Sequence, residues 1–308
     1  FGTVSITREH IREHMPVELS LALHDDNLSS TGNKLIDIES ASKIHESLAD
    51  ATNPHKAPEY KTKDLYEITT FRSDGAYTNS RHPDSVTWGE TLQEDVDRRD
   101  FTINALALQI DQKFCETVLE QKEASEYIQI SPESYTIIDY HEGIIDLKNG
   151  LIRTVGNPDK RFTEDALRIL RAIRFSVQLN MQIEDETYAA IETQAHLLEN
   201  ISWERVRDEF LKMLASNYPR EAVEILDDCG CLEHILPEVQ LGKGVEQGGH
   251  HTTDVWEHSL AALETCPSDD PIVRLATLIH DVGKPDTFKR INGQPTFYNH
   301  EVVGAHMA

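Results

Sequence analysis

The sequence predicts an α+β protein in which an α/β part is followed by an all-α layer and a final His-rich helical segment. Three observations support this. FGTVSI (Phe1 to Ile6) and YEITTFR (Tyr66 to Arg72) alternate apolar and polar residues with the period of two of a half-buried strand. From Arg161 to about Ile235 the apolar residues recur at helical spacing almost throughout. From His250 onward the segment is again helical, with histidines in each of its parts.

About fifty polar residues separate the first two strands, and the stretch from about 7 to 64 reads as an insertion. After a Gly/Asn/Pro-rich loop (Ser73 to Asp84), TLQEDVDRRDFTINALALQI carries apolar residues at helical spacing, so that Arg98 and Arg99 fall in a charged first turn before a buried INALAL helix. A second polar excursion precedes the strand-like IIDY and GLIRTVG. Four amphipathic segments follow: RFTEDALRILRAIRFSVQL, DETYAAIETQAHLLEN, SWERVRDEFLKMLAS and PREAVEILDDCGCLEHIL. A Gly-rich linker (Leu241 to Gly249) leads to the last segment. The expected domains are 1–155, 156–240 and 250–308, and the chain is expected to begin and end inside domains, since FGTVSI reads as a strand already in progress and NHEVVGAHMA lacks a helix stop signal.

Composition narrows the class. The 308 residues, 39% hydrophobic and 27% charged, exclude a disordered or collagen-like chain, and no apolar run approaches the ~20 residues of a membrane span. Four irregularly spaced cysteines, Cys115, Cys229, Cys231 and Cys266, do not make a disulfide framework, so a reducing cytoplasm is expected. CGC at the end of an amphipathic segment reads as core or helix-end packing. A net charge of −25 argues at first against a polyanionic partner. The charge is not uniform, however: from Arg153 to Arg174 there are six basic and three acidic residues.

That basic stretch contains the most informative helix. With Thr163 as N-cap, Ala166, Ile169, Leu170 and Ile173 form a buried stripe, while Arg168, Arg171 and Arg174 lie at about 300°, 240° and 180° from Asp165 on the opposite face. Such a ridge is commonly a solvated face of (i, i+3) ion pairs. Three arginines with no lysine favour instead a planar fork that reads a phosphate or a base edge. Arg98 and Arg99 point about 100° apart on a helix, so one is free to reach an anion while the other pairs with Asp95 or Asp97.

YEITTFRSDGAYTNSRHPDSV, EDVDRRDFTINALAL, GLIRTVGNPDKRFTEDALRILRAIRFSVQL and SWERVRDEFLKML, in this order, resemble the class II tRNA nucleotidyltransferase and bacterial poly(A) polymerase family. The resemblance covers most of the chain from Phe1 to about Val239. It implies a partial nucleotidyltransferase α/β head followed by an all-α neck. It also implies addition of CMP and AMP to the 3′ end of tRNA from CTP and ATP with Mg²⁺, poly(A) synthesis being the alternative. By the same resemblance Asp165 and Arg168 select the base, and Arg99, Arg171 and Arg174 hold the phosphates. The family's GG-x-VRD loop and D-x-D strand fall upstream of the strand matching FGTVSI. The principal metal carboxylates are therefore expected outside this chain, which by itself is expected to add no nucleotide. Glu67 is the candidate for a third, supporting carboxylate. Asp37 and Glu39 in LIDIES have the spacing but not the context.

HHTTDVWEHSLAAL, LIHDVGK and FYNHEVVGAH resemble a partial all-α HD phosphohydrolase domain. That resemblance makes His258, His280, Asp281 and His300 candidate ligands of a divalent transition metal and Lys284 a phosphate contact, with His250, His251 and His306 as bystanders. It supports a reading from another class, a metal-dependent phosphohydrolase acting on RNA ends. A catalytically inert RNA-binding relic is the third reading.

Overall fold

The computed structural model describes residues 71, 91–113, 135–248 and 253–308, together with the backbone of strands at 3–7, 65–69, 72–74 and 86–88. The chain forms two compact units, Phe1–Gly75 with Ser85–Lys148 and Ala76–Asp84 with Asn149–Ala308. The insertion read at about 7 to 64, including Asp37 and Glu39, lies almost wholly outside the described residues, as do Cys115, His250 and His251.

In the first unit, β1 (Thr3–Thr7) pairs antiparallel with β2 (Leu65–Thr69), placing Glu67 opposite Ser5. β3 (Arg72–Asp74) pairs with β4 (Val86–Trp88). Helix α1 (Leu92–Asp97) starts on Thr91, whose hydroxyl accepts from the Glu94 amide at 3.3 Å. It ends at Arg98, before a 3₁₀ turn (Thr102–Asn104), and the chain then extends as β5 (Leu106–Ile110) against β6 (Tyr135–Asp139). The expected INALAL helix is therefore a turn and a strand, and Arg98 and Arg99 close a helix instead of opening one. The physical reason is local: the Asp100 carboxylate accepts from the Phe101 amide at 2.9 Å and the Asn104 side chain at 3.0 Å, a side-chain turn that competes with helical pairing. Phe101, Ala105, Ile138 and Ile144 are then all buried. Asp139 ends β6 and accepts from the amides of Gly143 (2.9 Å) and Ile144 (3.0 Å), which starts α2 (Gly143–Asn149).

The second unit is mainly helical. β7 (Leu151–Ile152) pairs in parallel with β8 (Gln182–Ile183), bracketing α3 (Pro158–Glu164) and α4 (Leu167–Leu179). Helix α3 has Asn157 as N-cap, its side chain accepting from the Lys160 amide at 2.9 Å, and Pro158 in its first turn. Thr163 is thus inside α3, not the N-cap expected of it, and its hydroxyl donates to the Asp159 carbonyl at 2.8 Å. Asn157-Pro158 is the stronger start signal.

Ala166, Ile169, Leu170 and Ile173 are fully buried, as the helical wheel predicts. Asn180 ends α4 in the left-handed region (φ 53°). Next come α5 (Asp185–Gln194), a 3₁₀ turn (Ala195–Asn200), α6 (Trp203–Leu214), α7 (Pro219–Asp228), α8 (Leu232–Ile235) and α9 (Pro237–Gln240). The core brings α4 together with Val206, Phe210, Met213 and Leu214 of α6 and Ala222, Val223 and Leu226 of α7. Each such large side chain contributes roughly 1.5–3 kcal/mol of burial. Cys229 caps α7, Gly230 takes φ 74°, and Cys231 is buried before α8, which is the packing role read from the sequence.

The last part contains α10 (Val255–Glu264), α11 (Pro271–Ile279), α12 (Lys284–Thr287), a hairpin of β9 (Lys289–Ile291) and β10 (Gln294–Thr296), and α13 (His300–Met307). The all-helical expectation here omits the hairpin. Asn292 (φ 51°) and Gly293 (φ 82°) turn it, as an Asn-Gly pair does in two-residue hairpins. Helix α13 reaches α12 over Gly283, where a Cβ would lie 2.2 Å from the His300 carbonyl oxygen. Among the described residues no helix is long and apolar enough to cross a membrane.

Candidate nucleotide-reading and metal sites

The break between α3 and α4 organises the first site. At Asp165 the backbone is extended (φ −151°, ψ 103°), which ends α3, and its carboxylate accepts from the Leu167 amide at 3.1 Å, which starts α4. The second carboxylate oxygen accepts from Arg205 Nη2 at 2.7 Å, so α6 clamps the break from the side. Glu164, one residue earlier, lies between two arginines: Arg161 Nη1 at 3.0 Å and Arg168 Nη1 at 2.7 Å. Arg168 also donates to the Arg161 carbonyl at 3.0 Å, and Arg161 Nε to the Val155 carbonyl at 2.7 Å.

Asp165 and Arg168 thus lie on adjoining turns, each held by a different partner. Glu164 and Arg205 are the members that sequence reasoning missed. Both stood within quoted blocks, FTEDALR and SWERVRDEF, but pairing across 40 residues has no local signature. Arg205 Nη1 is buried with no hydrogen-bond partner among the described residues, so the clamp retains a donor beside Asp165.

The arginine ridge is not a solvated face. Arg174 Nε lies 2.7 Å from Glu209 of α6, whose side chain is buried, and the Arg174 guanidinium covers the Phe175 ring at 4.2 Å. Arg171 lies over the same ring at 5.2 Å. Lys212 joins Glu209 from the solvent side at 3.0 Å.

In the first unit Arg99 and Arg98 both pair with Asp95, Arg99 at 2.8 Å. Asp97 pairs with His141 at 2.9 Å. Burial of Asp95 opposes its ionisation, but the two guanidinium groups override it and hold its carboxyl below the usual range. The Glu67 side chain lies outside the described residues.

The second site gathers His258 from α10 with His280 and Asp281 at the end of α11; their ligand atoms all lie within 4.8 Å of one another. His280 Nε2 is 3.3 Å from His258 Nε2 and 3.1 Å from the Asp281 carboxylate, and His258 Nε2 is 3.4 Å from the same oxygen. His280 Nδ1 faces the Thr277 carbonyl at 2.7 Å, and His300 Nδ1 faces the Phe297 carbonyl at 2.8 Å. A carbonyl accepts only, so each Nδ1 carries a proton, and each Nε2 is turned toward Asp281. Two imidazole Nε2 atoms at 3.3 Å need a shared proton or a cation between them.

The hydrogen bond to Asp281 raises the His280 pKa. Burial pushes Asp281 up, yet His280 and Lys284, whose Nζ is 2.6 Å away, hold it well below the carboxylate range. His300 stands further off, 3.6 Å from the other carboxylate oxygen.

Comparison with known proteins gives the ancestry. The family model described as the poly(A) polymerase head domain matches residues 33–153, and the one described as a probable RNA and SrmB-binding site of polymerase A matches 180–241. The chain belongs to the tRNA nucleotidyltransferase and poly(A) polymerase family. Within this family, the CCA-adding enzyme of Lactobacillus helveticus (strain DPC 4571) is 42% identical over 170 residues, which is 55% of this chain and 37% of that protein. The CCA-adding enzyme of Ligilactobacillus salivarius (strain UCC118) is 44% identical over 163 residues, 53% of this chain and 35% of that protein. A crystal structure of the Bacillus stearothermophilus CCA-adding enzyme in complex with CTP aligns over 72% of this chain and 46% of its own, at 28% identity and a TM-score of 0.46. The chain therefore spans little more than a third of the length of the curated relatives it matches.

Proposed function

We propose that the chain serves in an enzyme that adds C and A to the 3′ end of tRNA from CTP and ATP. The observation that carries the reading is the Asp165 clamp, which fixes an acceptor-only carboxylate at a helix break with a spare buried donor on Arg205. Base selection without a template needs fixed donors and acceptors facing the Watson–Crick edge of the incoming nucleotide. In this reading Asp165 and Arg168 supply them, while Arg171 and Arg174 hold the triphosphate; Arg99, in the first unit, is assigned a phosphate contact of its own. Relatives named CCA-adding enzymes, at 42% and 44% identity, support it over poly(A) synthesis. The divalent ions of this chemistry, Mg²⁺ in our reading, neutralise the attacking and leaving oxygens, and we assign Glu67 a supporting role toward them. The His-rich cluster does not suit Mg²⁺, which prefers oxygen ligands. Offered CTP or ATP separately with a tRNA that lacks its CCA end, an enzyme carrying this chain is expected to add CMP. Polymerisation of AMP without CMP addition would overturn the choice.

The His258–His280–Asp281 cluster supports a second activity in residues 250–308, an HD-type phosphohydrolase acting on RNA ends. Two imidazoles and a carboxylate suit a transition metal, which would polarise a phosphate, with His300 beside it and Lys284 as the phosphate contact. Mn²⁺ is expected to raise the thermal midpoint of the chain in a concentration-dependent way. Asp281→Asn is expected to weaken Mn²⁺ binding, measured by calorimetry, at least about tenfold, while His306→Ala leaves it unchanged. Equal Mn²⁺ affinity in Asp281→Asn would remove the cluster as a metal site.

A further inference from the structure

The hairpin between α12 and α13 differs in character from the rest of the molecule. Residues 284–298 carry Lys284, Lys289 and Arg290 against the single acid Asp286, in a chain whose net charge is −25. Aromatic rings interleave with these cations. Phe288 and Phe297 pack with centroids 5.8 Å apart, Lys284 lies 5.5 Å from the Phe297 centroid, and Arg290 lies 5.9 Å from that of Phe288 while pairing with Glu246 at 2.6 Å. Tyr298 is the exception: the residue is left 72% exposed.

Its place in the chain is specific. Tyr298 follows Phe297, whose carbonyl holds His300 Nδ1 at 2.8 Å and whose ring meets Lys284, the partner of Asp281. Asn299, at φ 65°, turns the chain between the exposed ring and the imidazole. Consecutive Cα atoms are about 3.8 Å apart, so the ring is anchored within about two residues of His300, whose Nε2 is 3.6 Å from the Asp281 carboxylate. Exposed Lys289 lies on β9 of the same hairpin. An open aromatic ring and an exposed lysine whose strand partner, Thr296, lies two residues before that ring are parts that recognise a nucleotide: a stacking platform for the base and a counter-charge for the backbone.

We propose that Tyr298 and Lys289 form a subsite for the 3′-phosphorylated end of a ribonucleotide chain. The terminal base stacks on Tyr298, the 5′-phosphate of that nucleotide meets Lys289, and its 3′-phosphate faces the His258–His280–Asp281 cluster. The inference rests on the metal-centre reading given above. It is tested by calorimetric titration of inorganic phosphate, 3′-AMP and adenosine 3′,5′-bisphosphate into the Mn²⁺-loaded 308-residue chain, scoring only the binding that Asp281→Asn removes. Tyr298→Ala is expected to weaken 3′-AMP about tenfold with phosphate changed less than about twofold, and Tyr298→Phe to retain 3′-AMP affinity. Lys289→Ala is expected to weaken the bisphosphate and spare 3′-AMP. If Tyr298→Ala leaves 3′-AMP unchanged, or weakens phosphate equally, the stacking subsite is wrong although the metal centre stands. If no phosphate binding depends on Asp281, the metal centre itself fails and the subsite falls with it.

Discussion

Replacing Asp165 by alanine in an enzyme that carries this chain is expected to lower kcat/KM for CMP and AMP addition by about 10²- to 10³-fold, and to lower it far less for GMP and UMP. The asymmetry follows from geometry. One carboxylate oxygen starts α4 through the Leu167 amide, and the other anchors Arg205 at 2.7 Å. The substitution therefore removes the acceptor, frees the guanidinium that faced it, and costs α4 an N-terminal hydrogen bond of about 1 kcal/mol. Asp165→Asn keeps a helix-capping oxygen and isolates the electrostatic part. Arg205→Ala leaves the carboxylate in place without its clamp, so it is expected to reduce addition less than Asp165→Ala while still relaxing base choice.

The second large effect concerns stability. Arg274, on α11, is 8% exposed, and its guanidinium donates to the carbonyls of Leu214 and Ser216 at 2.6 Å each and of Ser268 at 2.7 Å, with Asp269 at 3.1 Å. Leu214 and Ser216 flank the C-terminal end of α6, where carbonyls lack helical partners. Arg274→Ala strands these acceptors and opens a cavity, so a loss of about 3–5 kcal/mol is expected in denaturant unfolding. Arg274→Met keeps the apolar stem and is expected to recover part of the packing but none of the carbonyl bonds. A loss below about 1 kcal/mol for Arg274→Ala would show that solvent replaces the guanidinium at no cost.

Helix α4 was legible because burial imposes a period: its stripe of Ala166, Ile169, Leu170 and Ile173 is the buried face in the fold. The same reasoning misread INALAL, where helical spacing of apolar residues coincides with a strand. There the tertiary partner, β6, decides the matter, and it lies about thirty residues downstream. The hairpin at 289–296 did carry a local signal, Asn292-Gly293, which the His-rich helical pattern on either side obscured.

In the nucleotide site, the residue types of Asp165 and Arg168 were readable while their partners were not. Glu164 takes Arg168 from within the motif, and Arg205 takes Asp165 from another helix. The metal cluster shows the converse: His280 and Asp281 are adjacent in sequence, His258 is 22 residues away, and the three meet. The orienting carbonyls of Thr277 and Phe297 carry no side-chain signature and are visible only in three dimensions. The overall charge of −25 suggested no polyanionic partner, yet the basic groups that matter are local and held in place by buried acids such as Glu209.

The most direct measurement of the central claim is the ratio of CMP to UMP incorporation into a tRNA lacking its CCA end, by the enzyme carrying this chain with and without Arg168→Ala. A large ratio is expected for the native residue and a collapse toward unity in the variant, with the KM for tRNA unchanged. An undiminished ratio in Arg168→Ala, with the variant folded, would contradict base selection by the α3–α4 break.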